Sequence, residues 1–279
     1  MKLLLPVLKE TATITFLVLI MLMVMDLAYI YTRGKIQSFL LSHKALQFVI
    51  AAGLGAIPGC EGAFLAVSLY AHGMIGMGAL LGAFIATSGD EAFVMLSLFP
   101  LTALKLFGML FLCGVVFGWL ADLLIKKSGW KNEEWCETEM FHPHSTLSLR
   151  HYFFEHFWDH LIKKHLVRIA VWTFSVLLVI AWGNSRFDLI HITRQYPLLT
   201  IGSAGLIGLI PVSGPHLIFV NMFAAGSIPF SVLFTNMFIQ SGHALLPMLS
   251  FSLKDSFALK LMALVIGLPL GILIFFLGM

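Results

Sequence analysis

The chain is poor in charge: 11% of its 279 residues are Asp, Glu, Lys or Arg, while 59% are hydrophobic and the mean hydropathy is +0.95. Soluble domains carry about 25% charged residues, so this composition excludes a soluble domain of any size and predicts an integral membrane protein. Cysteine is also scarce. Cys60, Cys113 and Cys136 fall in three different segments, which excludes a disulfide framework. No glycine-rich nucleotide-binding loop occurs, so ATP is not the expected energy source. The formal net charge of +3 rests mainly on loop lysines and bears on membrane orientation, not on nucleic acid. No small-residue cleavage site follows the opening "MKLLLPVLKE", so the first apolar helix is read as uncleaved.

What the chain does have is apolar sequence, cut into pieces. "TITFLVLIMLMVMDLAYIY" and "LVIGLPLGILIFFLGM" are long apolar runs, and a membrane crossing takes about 20 residues. Other apolar blocks, at 44–58, 62–73, 74–87 and 216–226, are too short to cross alone and are joined at Gly/Pro breaks. Between them they predict an all-α polytopic protein of about 10 transmembrane segments, some broken or re-entrant. The interval 126–165, with Lys126, Lys127, Lys131, Arg150, Lys163 and Lys164, divides the chain and is cytoplasmic by the positive-inside rule. The expected organisation is a membrane repeat over 1–125, a cytoplasmic linker over 126–165 and a second membrane repeat over 166–279.

The repeat is read from an ungapped offset of 153 residues. It places Gly55 on Gly208, Ile57 on Ile210, Pro58 on Pro211, Gly73 on Gly226 and Ser88-Gly89 on Ser241-Gly242. Positions 55–97 and 208–250 share 13 identities in 43, gathered at the breaks rather than in the bulk apolar residues. Paired, interrupted hydrophobic segments are the mark of transporters built from internal repeats, with the substrate site at the repeat interface near the midplane. Inverted repeats of about five segments each are expected.

The breaks carry the polar chemistry. Pro58, Gly59 and Gly62 flank Cys60 and Glu61; Gly89 stands among Thr87, Ser88, Asp90 and Glu91. In the second half, Pro211, Gly214 and Pro215 surround Ser213 and His216, and Gly242 lies with Asn236, Gln240, Ser241 and His243. Non-helical backbone at membrane depth is tolerated where protein or a polar cavity satisfies it. Ionisable groups there cost roughly 2.5–3.5 kcal/mol each on insertion scales, and so mark an ion or substrate path. Glu61, Asp90, Glu91, His216 and His243 are the expected metal-transport site, with Cys60, Thr87, Ser88, Ser213, Asn236, Gln240 and Ser241 in support. Carboxylate, imidazole and carboxamide suit Mn²⁺, Fe²⁺, Co²⁺ or Zn²⁺, and a Cys60 thiolate shifts preference to the softer ions.

The linker adds a second signal. "LRHYFFEHFWDHLIKKHL", 149–166, sets Leu149, Phe153, Phe157 and Leu161 on one helical stripe and His151, His156, Asp159 and His160 on the opposing face. With His142 and His144 upstream, six of the chain's 11 histidines fall within 142–165. A metal-collecting arm, a pH sensor and an amphipathic helix lying on the membrane all fit this pattern.

The motifs "GAIPGCEGAF", "TSGDEAFVMLS", "GLIPVSGPHLIFV" and "NMFIQSGHALLPML" resemble the ten-transmembrane heavy-metal exporter family, whose members are also labelled manganese transporters or arsenic efflux proteins. The likeness spans nearly the whole chain and implies metal transport across the bacterial inner membrane. Arsenite favours clustered thiols, and only Cys60 lies near a break. "LIPVSGPHLI" and "AIPGCEGA" also resemble the two re-entrant motifs of undecaprenyl-diphosphate phosphatases, but in reversed order and without an arginine to clamp phosphate. An ion-coupled carrier of a small organic anion is opposed by the acids at the breaks. The reading is therefore of a non-enzymatic, proton-coupled exporter with no catalytic cofactor, whose partners are the metal ion and the bilayer; a homodimer is one assembly open to it.

Overall fold

The computed structural model describes residues 44–128 and 197–278 continuously, together with residues 5–9, 11–13, 15–16, 19–20, 170–171, 174–175 and 178. Helices α1 to α5 span Lys44–Gly55, Glu61–Ala71, Met77–Ala86, Glu91–Leu98 and Pro100–Ser128. Helices α6 to α8 span Pro197–Gly208, Ser213–Ala224 and Phe230–Ile239; a 3-10 turn at Gly242–Ala244 precedes α9, Leu245–Phe251, and α10, Leu253–Phe276. No strand occurs among the described residues, and Gly59 and Gly89 form an isolated antiparallel bridge.

The two sets of helices keep one register. Helices α6 and α8 begin and end 153 residues after α1 and α3, and α7, α9 and the start of α10 follow α2, α4 and α5 to within one residue. The local causes match as well. Gly73 (φ 66°) and Gly226 (φ 65°) stop α2 and α7 in the same left-handed turn. Sequence alone predicts one apolar block over 92–125, but the structure divides it at Phe99, whose backbone (φ −148°, ψ 66°) is not helical. The ring of Pro100 disfavours the helical conformation at the residue before it and is accommodated at the first position of α5. Ser252 makes the corresponding divide, its hydroxyl accepting from the N–H of Asp255 at 3.1 Å to cap α10.

Among the described residues, α5 and α10 are the two helices long and apolar enough to cross a membrane unaided. Their outer faces leave Leu101, Leu104, Leu124, Phe257, Leu261 and Phe276 exposed, rows of side chains that lipid covers in a membrane. Inside them, α3 is buried over its whole length and α8 from Ser231 onward. The central helices approach their outer partners closely because small residues line the seam. Gly78 and Gly82 on α3 face Gly118 and Gly114 on α5, backbone to backbone, and Gly271 and Gly267 on α10 hold the equivalent places against α8.

The two sets exchange contacts. Helix α2 packs on α9 while α7 packs on α4, and α3 meets α8 between them. A buried hydrogen bond from the Tyr70 hydroxyl to Asp255 Oδ2, at 2.7 Å, ties α2 to α10.

Candidate metal centre

Three of the four breaks converge between the helix sets. The Gly59 N–H donates to the Gly89 carbonyl at 3.1 Å, joining the break before α2 to the break before α4. The break after α8 closes on the same place. Gln240 Nε2 donates to the Thr87 carbonyl at 2.8 Å, while Gln240 Oε1 accepts from the Gly242 N–H at 2.6 Å. Gln240 and Thr87 are themselves 153 residues apart, so equivalent positions of the two sets meet face to face. Gly89 (φ 57°) and Gly242 (φ 53°), likewise equivalent, turn the chain left-handed, a conformation that side chains with a Cβ adopt only at a cost. A Cβ on Gly242 would lie 2.9 Å from Cys60 Sγ and 3.7 Å from Gly89 Cα.

This convergence gathers a thiol, a carboxylate and an imidazole. Cys60 Sγ lies 3.8 Å from His243 Nδ1, and His243 Nδ1 lies 3.6 Å from Asp90 Oδ2. One donor atom from each of the three falls within 4.8 Å of the others. Cys60 and His243 are buried, at 5% and 8% exposure, whereas the Asp90 side chain is 54% exposed and opens the group on one side. Cys60 and Asp90 come from the first helix set and His243 from the second.

The remaining expected residues divide around this group. Glu61 and Glu91 are the first residues of α2 and α4, where helix N–H groups favour negative charge. Each carboxylate folds back over the glycine two residues before it, Glu61 over Gly59 and Glu91 over Gly89; Glu61 is exposed and Glu91 fully buried. Thr87, Ser88 and Ser241 are buried in the convergent breaks, and the Thr87 hydroxyl accepts from the Gly89 N–H at 3.4 Å. Pro58 lies in the break before α2 and Gly62 is the second residue of that helix, while Pro211 precedes α7 and Ser213, Gly214 and Pro215 form its first turn.

The structure places His216 apart from the trio. It is fully buried with both ring nitrogens committed, Nδ1 to Asn236 Oδ1 at 3.2 Å and Nε2 to the Ile210 carbonyl at 3.0 Å. Asn236 Nδ2 in turn donates to the Ala204 carbonyl at 2.9 Å, which fixes the amide's oxygen toward the imidazole. This network stitches the break before α7 to α6 and α8. His216→Ala is therefore expected to cost about 1–3 kcal/mol of stability by leaving a buried acceptor short of a donor, read as a lower thermal midpoint in detergent; an unchanged midpoint would show that the network does not hold the break.

Sequence reasoning passed over Lys260 and Asp255, although ionisable residues inside an apolar run are a direct signal. Lys260, 7% exposed on α10, donates to the Gly208 carbonyl at 2.9 Å and the Ile239 carbonyl at 2.7 Å. The linker candidates His142, His144, His151, His156, Asp159 and His160 lie outside the described residues.

The family described as "Putative, 10TM heavy-metal exporter" matches residues 9–178 and, a second time, 164–277. No curated protein and no solved structure matches the chain.

Proposed function

The chain belongs to the 10TM heavy-metal exporter family, and we propose that it carries a divalent transition metal outward through the Cys60–Asp90–His243 group. The observation that carries this reading is the meeting of thiol, imidazole and carboxylate donor atoms within 4.8 Å, drawn from both helix sets. Sulfur and nitrogen donors rank Zn²⁺ and Co²⁺ above Fe²⁺, and Fe²⁺ above Mn²⁺, on affinity and softness together. Glu61 and Glu91 add negative charge beside the path without being needed as ligands. Water completes the coordination on the open Asp90 side.

The two helix sets act as an internal duplication in opposite orientations. The matching register supports duplication. Charge supports inversion: α5 carries Lys126 and Lys127 in its last turn, whereas α10 carries Lys254 in its first and no basic residue in its last. The positive-inside rule then puts the C-terminal end of α5 and the N-terminal end of α10 on the cytoplasmic side of the bacterial inner membrane. In that arrangement the convergent breaks lie at the repeat interface, toward the middle of the bilayer. A site that takes up metal on thiolate and imidazole must release protons, which makes a proton gradient the matching energy source.

Uptake into proteoliposomes under a pH gradient, measured for Zn²⁺, Co²⁺, Fe²⁺ and Mn²⁺ with the full chain, tests the reading. Transport in that order of preference is expected. Failure to move any of the four, or release of phosphate from a polyprenyl diphosphate, would overturn it.

A further inference from the structure

Lys260 has no counterpart in the first helix set, where the equivalent position is Phe107. Its two acceptors are the terminal carbonyls of two half-helices: Gly208 is the last residue of α6 and Ile239 the last of α8. Both helices stop at that point and enter breaks, and the break after Ile239 leads through Gln240 to Gly242 and His243. The ammonium thus sits where the negative ends of two helix dipoles meet. Two carbonyls leave one of its three N–H donors without an acceptor among the described residues.

Among the described residues, no carboxylate forms an ion pair with it. Helices α6, α8, α9 and α3, which pack against α10, contain no Asp, Glu, Lys, Arg or His. The titratable groups of the adjoining breaks are His216, held at the Ile210 carbonyl, His243 in the turn before α9, and the buried Glu91, whose carboxylate lies over Gly89. Along α10 itself, Lys254 and Asp255 lie in the first turn, and Asp255 is engaged by Tyr70. Lysine is the cationic side chain that can give up its charge when buried, whereas arginine cannot.

We propose that Lys260 is the proton carrier of the exporter, its ammonium clasping the ends of α6 and α8 in the metal-free state and its proton passing to water when a cation loads. This rests on the metal-transport reading above. A divalent cation at His243 and an ammonium at Ile239 repel across a short stretch of one break. Loading the metal expels the proton from Lys260 to solvent water, leaving a neutral amine; the half-helix ends then lose their clasp and can move. Reprotonation from the other side of the membrane restores it.

The test compares the parent full chain with Lys260→Arg and Lys260→Met, using Zn²⁺ in proteoliposomes with imposed pH gradients and Zn²⁺ binding in weakly buffered detergent solution. Arginine keeps the charge and the donors but cannot give the charge up, so the variant should bind Zn²⁺ more weakly than the parent, release about one proton fewer per ion and lose gradient-driven uptake by about tenfold or more. Methionine, neutral at every pH, removes the repulsion and should bind Zn²⁺ at least as tightly as the parent, while also releasing about one proton fewer per ion. If Lys260 is only a helix-end clasp, Lys260→Arg transports like the parent, and the proposal is overturned while the metal reading stands. A parent-like number of protons released per Zn²⁺ by Lys260→Met overturns it equally, and serves where the arginine variant does not fold. A parent that moves no Zn²⁺ removes both readings together.

Discussion

Replacing His243 by alanine should lower Zn²⁺ affinity by about 100-fold or more, given that disturbing even the groups behind metal ligands costs roughly 10–100-fold. The imidazole is the middle member of the trio, with Nδ1 at 3.8 Å from Cys60 Sγ and 3.6 Å from Asp90 Oδ2. Its loss leaves a site made by the first helix set alone. The other two ligands should not behave alike. Asp90→Asn keeps the volume and an oxygen donor at a position whose side chain is 54% exposed, so water can take over part of its role. Cys60→Ser replaces soft sulfur by hard oxygen, and should weaken Zn²⁺ and Co²⁺ more than Mn²⁺. Calorimetry gives the affinities. Absorption of the Co²⁺-loaded protein gives the identity of the donor: a sulfur-to-cobalt band is expected in the parent and in Asp90→Asn, and should be absent in Cys60→Ser. Parent-like affinity and an unchanged sulfur band in His243→Ala would remove the proposed centre.

Much of this arrangement was legible in the residues, for reasons that also mark where legibility stopped. The breaks announced themselves because proline, positive-φ glycine and polar groups have no reason to interrupt lipid-facing helix unless something is satisfied there. Periodicity and identities at one offset gave the register of the helices, since Gly73 and Gly226, or Gly89 and Gly242, do the same conformational work in each set. Which polar side chains meet was not legible. His216 and His243 look alike as sequence, each within two residues of a glycine in an apolar run, but only the chain path decides that the ring of His243 turns toward Cys60 and that of His216 toward Asn236. Sequence places Cys60 in a supporting role by the general habits of membrane cysteines; its approach to His243 depends on Gly242, which leaves room for the sulfur. Lys260 was hidden by its isolation. Its meaning lies in two carbonyls that are 52 and 21 residues away along the chain.

The seams between central and outer helices decide whether the site can form at all. Gly118→Leu is expected to prevent assembly of α5 on α3, at a cost of about 3 kcal/mol or more, above the usual range for overfilled cores. The added Cβ alone would lie 2.7 Å from the Gly78 carbonyl oxygen and 3.2 Å from Gly82 Cα, and both are backbone. A side chain can turn aside; a helix fully buried between α1, α5 and α8 cannot retreat without dragging the Thr87–Asp90 break with it. Gly108→Ala on the same helix is the control. Nothing lies within 4 Å of its new Cβ, so it should gain roughly 0.5–1 kcal/mol from better helix propensity. Thermal midpoints and the monodisperse fraction in detergent should thus move in opposite directions for two glycines ten residues apart on one helix. The second seam should be more forgiving. At Gly271 the first atom a Cβ meets is the Thr235 hydroxyl, the end of a side chain that bonds to the Ser231 carbonyl and can rotate away from it. Gly271→Ala should therefore cost less than Gly118→Ala. Equal costs at the two positions would mean that the seams are not stiffened by backbone contact in the way their geometry implies.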